Sequence, residues 1–370
     1  MAYKSSSDRL LFFIAIFLTI FGLVMVYSAS SITASSEHGM SSYFFLRQLL
    51  HAGIGFVFLI FLMNLDYHVW QKPKTIFVML LVCAGVLIFV LTQPEINGAR
   101  RWLRFGSFLS FQPSEIAKLA VIVFIAWFLH KYEGEINQPI RRLLPFGLVI
   151  GLFVALIVVE PDLGQSLCIC IIVATLLYIA GLAWRYYALA VLSAVPLFYL
   201  LVYRNPFRWE RILTFLNPFH DPLGSGWQIS QSLIAVGSGG LTGRGFGGSI
   251  QKLDFLPEAS SDFIFAIIGE ELGLIGTALV AIAFLFYFYR GMRIVLRSTD
   301  RFGFYLALGI TLMVVLQGFI NISMVLAMMP TKGIALPFIS QGGSSLLLNL
   351  VATGILLNLS HHNKMAEAAE

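Results

Sequence analysis

The residues of this chain predict an all-α polytopic membrane protein with about ten spanning helices, and three observations carry that expectation. Of 370 residues, 58% are hydrophobic and only 12% are charged, against about 25% charged in soluble domains. The mean hydropathy is +0.85. The apolar runs are long and continuous rather than alternating, which favours helices over a membrane barrel. Lipid offers no hydrogen bonds, so such a chain satisfies its backbone internally.

In chain order the spans fall at 10–28, 47–65, 75–92, 114–131, 143–159, 166–184, 186–203, 262–289, 302–328 and 336–358. Each approaches the roughly 20 residues that cross about 30 Å of hydrocarbon. No A-x-A site follows the first run, Leu10 to Tyr27, so an uncleaved helix is expected there. Cys83, Cys168 and Cys170 all lie in apolar runs without metal or disulfide spacing, and read as small core or lipid-facing residues. The whole of 1–370 reads as one membrane domain.

Lysine and arginine set the orientation. Thirteen of the 24 fall in segments on the side of the termini, and five in the short loops opposite. The positive-inside rule then puts both termini in the cytoplasm. The opposing five are Arg47, Arg100, Arg101, Arg104 and Lys332, and the long connection 204–261 adds Arg204, Arg208, Arg211, Arg244 and Lys252. Cations placed against the bias either snorkel to lipid headgroups or meet an anionic substrate at the outer face. The connection is too long to be a simple turn. Trp209, Phe215, Phe219, Trp227, Phe246 and Phe255 give it much to bury, and Ile229 to Val236 reads as a short helix near the membrane surface.

Ionisable residues beside spans are costly and mark function. Gln112-Pro113-Ser114-Glu115-Ile116-Ala117-Lys118 opens the fourth span, with Ser114 in a capping place. Glu115 and Lys118 share a face, either as an ion pair fixing register or as a polar cavity wall. Glu160-Pro161-Asp162-Leu163-Gly164 makes a tight turn in which Asp162 caps the sixth helix or faces outward. Asp262 stands where the long loop meets the eighth span. It reads as an N-cap or, with Glu258, as a base and cation ligand. Glu271 reads as structural. Gly342-Gly343-Ser344-Ser345 precedes the last span, where backbone donors can meet a phosphate, with Lys332 nearby. Outer carboxylates with outer cations suit group transfer from a phosphorylated lipid.

Along nearly the whole chain, a set of motifs resembles the SEDS family of cell-wall polymerases. They are Val26-Tyr27-Ser28-Ala29-Ser30, Gly98-Ala99-Arg100-Arg101-Trp102, Phe111-Gln112-Pro113-Ser114-Glu115 and Glu160-Pro161-Asp162-Leu163-Gly164. Further on come Asp221-Pro222-Leu223-Gly224, Gln231-Ser232, Gly237-Ser238-Gly239-Gly240 and the run from Leu256-Pro257-Glu258 to Gly269-Glu270-Glu271-Leu272-Gly273. Pro330-Thr331-Lys332-Gly333 is similar to the division and sporulation branch rather than the elongation branch. The chain departs from the family at Gln341, usually Tyr, and at Ser260-Ser261, where His-Thr is common.

The resemblance implies a peptidoglycan glycosyltransferase. It would polymerise lipid II at the outer face of the bacterial inner membrane, during septal synthesis. Asp262 matches the essential aspartate and is expected to be the general base. Arg101, Arg208, Arg211 and Lys332 are expected to neutralise the pyrophosphate, with Glu258, Gln231 and Ser344 as further substrate contacts. Glu115, Lys118, Asp162 and Glu271 are expected to support the cavity. A divalent cation, Mg2+ or Mn2+, on Asp262 or Glu258 is the one cofactor anticipated. A class B penicillin-binding protein of the FtsI type and other divisome proteins are the expected partners, and nucleic acid is not. Rival readings are a lipid II flippase, an elongation-type polymerase and a non-catalytic scaffold. A flippase would need a polar path at the bilayer midplane.

Overall fold

The structure, a computed structural model, describes residues 7–95, 100–105, 109–221 and 224–367. Gly98-Ala99 and Pro222-Leu223 of the motifs above lie outside the described residues, as does the side chain of Arg104. The remainder is a helical bundle: α1 (Arg9–His38), α2 (Tyr43–Met63), α3 (Pro73–Val90), α4 (Pro113–Tyr132), α5 (Leu144–Val159), α6 (Leu163–Ile179), α7 (Trp184–Phe198), α8 (Pro206–Leu216), α9 (Trp227–Ser238), α10 (Ile264–Leu296), α11 (Arg301–Val325) and α12 (Gly343–Glu367). Among the described residues nine helices are long and apolar enough to cross a membrane. The 17-residue α6 lies between two of them; at 1.5 Å per residue it is about 26 Å long and serves as the tenth.

Burial separates core from rim. Within their apolar windows α12 is 83% buried, α4 78% and α11 72%, whereas α7 is 0%. The first three form the centre, with α12 packed chiefly on α2 and α11 on α4 and α10. Asp8 pairs with Arg290 and its backbone N–H donates to Ser360. This ties the chain start to the far ends of α10 and α12, so both termini lie at one end of the bundle. The connection 204–263 lies at the other.

Several span boundaries differ from expectation. The eighth begins at Ile264 and runs to Leu296, broken at Gly273 (φ 63, ψ −157). The last begins at Gly343, and 336–342 is non-helical. The break explains the glycine-rich stretch. Arg244 and Gly245 N–H donate to the Glu270 and Glu271 carbonyls at 3.0 Å, and Leu274 N–H donates to the Gly240 carbonyl at 2.9 Å. The loop thus satisfies backbone groups that the broken helix frees, as an apolar setting demands. The approach is so close that a Cβ at Gly243 would lie 2.1 Å from the Glu271 carbonyl oxygen. The expected surface helix at 229–236 is α9. The preceding α8 was not anticipated, although Pro206 at its first position and Asn205, whose side chain accepts from Arg208 N–H, make an ordinary helix start.

Candidate active site

At the end of the bundle that carries the long connection, a cavity of about 1480 Å³ opens among α2, α4, α6, α7, α8 and α12. Drug-sized ligands fill roughly 300–1,000 Å³, so this space suits something larger. Its side wall is apolar, with Leu163, Leu167, Phe198, Leu201 and Val202, and its floor is charged.

Asp262 lies in that floor, two residues before α10. The cap position belongs to Phe263 and uses no side chain, so the capping reading of Asp262 does not hold and its carboxylate is free for other work. The segment around it is fixed from three sides. Asn321 on α11 donates to the Asp262 carbonyl at 2.8 Å, Ser340 Oγ donates to the Ser261 carbonyl at 2.5 Å, and Gln341 N–H donates to the Ser260 carbonyl at 2.9 Å. Glu258 is held in the left-handed region (φ 58), a conformation that costs about 1–3 kcal/mol and recurs at functional sites.

Basic groups surround this carboxylate. A Cβ placed on Gly333 would lie 3.1 Å from Asp262 Oδ2 and 4.0 Å from Arg101 Nη1, so both side chains reach the space beside that glycine. Arg208 and Arg211 share one face of α8 and line the cavity with Lys332. Arg208 donates to the Leu201 carbonyl at 2.8 Å and Arg211 to the Thr331 carbonyl at 3.2 Å, which holds α8 over the site. Arg101 Nε is buried without a protein partner among the described residues. Part of Asp262 faces the cavity, but protein encloses the rest. Burial, reinforced by the charge of Glu258, pushes its carboxyl up to about 7, against the opposing pull of Arg101 and Arg211. Burial also lowers the Lys332 amine.

The second carboxylate wall is built on the turn between α5 and α6. Asp162 caps α6 by accepting from Gln165 N–H at 3.2 Å, as expected, and also accepts from Gln112 Nε2 at 2.7 Å and Ser114 Oγ at 3.2 Å. Ser114 therefore serves Asp162 and is not the cap of α4, a place taken by Gln112. Glu115 and Lys118 pair at 2.8 Å, with Gln165 on the carboxylate and Gln317 on the amine. The pair is both a register device and a cavity wall, because Glu115 lines the space.

Three expectations are corrected. Gln231 is buried on α9 and does not line the cavity; Gln228, one turn earlier, does. Lys252 does not await an external anion. It binds Glu271 at 2.8 Å, and Glu271 also accepts from Ser28, which makes that glutamate structural as anticipated. Arg244 lies 3.4 Å from Glu270. Arg47, already marked as an outer cation, lines the cavity together with Gln48 and His51 on α2, which were not singled out; the signal was a set of polar residues near the start of an apolar helix. Among the described residues no three His, Cys, Asp or Glu side chains are grouped to hold a metal ion. Asp262 and Glu258 fit only the mode in which a hard cation is shared between one or two carboxylates and substrate phosphates.

Fold and site together define a multi-pass membrane protein with a charged cavity at one end of its bundle, walled on one side by apolar helices. Comparison with known proteins makes the class specific. The chain belongs to the FtsW/RodA/SpoVE family, whose model, described as "Cell cycle protein", matches residues 8–365. It is 43% identical over 366 residues to stage V sporulation protein E of Bacillus subtilis (98% of this chain, 99% of the other). It is 40% identical over 357 residues to a probable peptidoglycan glycosyltransferase FtsW of Geobacter sp. (95% and 96%). Among solved structures it matches a chain from a peptidoglycan synthase complex that coordinates polymerization and crosslinking. The TM-score is 0.76 at 28% identity, covering 97% of this chain and 98% of that one. The fold is also that of the rod shape determining protein RodA of Thermus thermophilus, with a TM-score of 0.71 at 24% identity over 98% of both chains.

Proposed function

We propose that this chain is a peptidoglycan glycosyltransferase that polymerises lipid II, with Asp262 as general base. The observation that carries the reading is that Asp262 and Arg101 both reach the space beside Gly333, in a cavity also lined by Arg211 and Lys332. In the reaction the acceptor 4-hydroxyl forms a bond to the anomeric carbon of the donor, its proton passes to Asp262, and the donor's bond to pyrophosphate breaks. A carboxyl group poised near 7 accepts a proton far better than an ordinary aspartate at the same pH. The pyrophosphate is already a good leaving group and needs charge neutralisation, which Arg101, Arg208, Arg211 and Lys332 supply. A divalent cation shared by Asp262, Glu258 and the substrate phosphates would add to that neutralisation when bound. The apolar wall of α6 and α7 gives the lipid tail a path to the bilayer.

The charge distribution favours this reading over a flippase, since the cavity's charged groups gather at one end of the bundle rather than along a path through its middle. Positive-inside placement puts the termini in the cytoplasm and this cavity outside. In this reading the protein works in the inner membrane at the division septum with a class B penicillin-binding protein of the FtsI type and other divisome proteins. The synthase-complex neighbour supports the partnership.

The test is glycan formation from labelled lipid II by the purified protein, with and without the transpeptidase, for wild type and Asp262→Asn. The asparagine keeps the shape and removes the base, and polymerisation is expected to fall about 10²–10⁴-fold. Wild-type rates in the variant would rule out Asp262 as the base.

A further inference from the structure

The N-terminal end of α12 opens into the same cavity beside the Asp262 cluster. Leu346 N–H donates to the Gly342 carbonyl at 2.9 Å, which makes Gly342 the cap residue. Glycine has no side chain to satisfy the first-turn donors. The N–H groups of Gly343, Ser344 and Ser345 consequently have no protein acceptor among the described residues, and all three residues line the cavity.

Two buried side chains point to the same place. Ser344 is 2% exposed and its hydroxyl has no protein partner among the described residues. His51 is 3% exposed. Its Nδ1 donates to the Arg47 carbonyl at 2.7 Å, so Nε2 is the ring atom left to meet a ligand, and it donates to a phosphate when the ring is protonated. The ring lies against the helix start, where a Cβ on Gly343 would come within 2.3 Å of Nε2. Arg47 lines the same wall, held by Ser110 Oγ at 2.5 Å. Uncapped helix donors, a hydroxyl, an imidazole and a guanidinium together make a phosphate cradle. The cluster around Arg101, Arg211 and Lys332 is built on other elements of the same cavity, and the segment carrying Asp262 is joined to the start of α12 through Gln341 and Ser260.

We infer that the start of α12, with His51, Ser344 and Arg47, is a second phosphate subsite, which holds the pyrophosphate of the other lipid-linked sugar while the Arg101–Arg211–Lys332 cluster holds the leaving group. The inference rests on the reading of the chain as a polymerase of pyrophosphate-linked sugars. Joining two such molecules in one cavity brings two pyrophosphates into it, and two basic clusters answer that need.

Gly342→Asp isolates the subsite. A side chain there has room, its nearest neighbours being Ser345 Cβ at 3.7 Å and Ala335 Cβ at 3.8 Å. The new carboxylate would cap α12 from within and occupy the donors. Full-length protein in nanodiscs is titrated with inorganic pyrophosphate. Wild type should show two classes of site, Gly342→Asp should lose one or weaken it at least about tenfold, and Arg211→Ala should weaken the other. In the polymerisation assay Gly342→Asp should raise the KM for lipid II by more than it lowers kcat. Ser344→Asp carries the same test if Gly342→Asp does not fold. One class of site in wild type, or two that survive in the folded aspartate variant, overturns the subsite. Two classes in a wild type that makes no glycan would leave the subsite standing and overturn the polymerase reading instead.

Discussion

Ser260 and Gln341 are bonded to each other twice: Ser260 Oγ donates to Gln341 Oε1 at 2.6 Å, and Gln341 N–H donates to the Ser260 carbonyl at 2.9 Å. The resemblance to the family implies that the chain departs from its pattern at both positions, and the two meet in one contact. The pair joins the segment carrying Asp262 to the start of α12. Replacing either residue alone with alanine strands its partner. Thermal unfolding of Ser260→Ala, Gln341→Ala and the double variant should give a coupling of about 0.5–1.5 kcal/mol. The joint exchange Ser260→His with Gln341→Tyr should retain more polymerisation than either change alone. Strict additivity in both measurements would contradict the pairing.

With Asp262 as the base, its carboxyl should set the pH dependence. Its carboxyl is raised to about 7, so it is protonated and unable to accept a proton at lower pH, and it becomes a competent base as pH rises through that value. The polymerisation rate should therefore climb to a plateau with an apparent midpoint near 7. Glu258→Gln removes the like charge that helps to raise it, and should move the midpoint to lower pH. Arg101→Ala removes an opposing charge and should move it upward. An unmoved midpoint in both variants would dissociate the profile from this carboxylate.

Glu115 and Lys118 are both almost fully buried. Removing one leaves an uncompensated buried charge, at a cost of about 3–5 kcal/mol. Glu115→Gln or Lys118→Met alone should lower the melting temperature sharply, and the two together should recover most of the loss. If the recovered double variant is stable but inactive, the pair also contributes to the reaction through its place on the cavity wall.

Gly273 is a backbone requirement. It has φ 63, and a Cβ would fall 2.4 Å from the Gly243 nitrogen. Gly273→Ala should cost at least about 1–3 kcal/mol from the dihedral alone, with the clash added. Expression and thermal stability of the purified protein measure this. Unchanged stability would mean that α10 can run through 273 unbroken.

Helix number and helix type were legible in the sequence because hydrocarbon thickness constrains composition directly. The break in α10 was not, since an apolar run reads alike on both sides of Gly273. Its cause is a contact with residues 239–245, which neighbour it only in space. The same reason hid His51 and misplaced Gln231. A polar residue near a helix end declares that it has a partner without saying which face meets it. Lys252 looked like an outward cation because the sequence does not show that Glu271 and Ser28 enclose it.

The seventh span has a consequence for how the protein must be handled. Tyr186 and Tyr187 anchor its base by hydrogen bonds to Asn137 and Ala174, and above them no residue of α7 is buried, although Phe198 in its last turn borders the cavity. The surrounding solvent, not the bundle, holds that wall upright. Chain order and lateral pressure in the bilayer thus set the width of the doorway, and a detergent micelle, lacking both, leaves it unset.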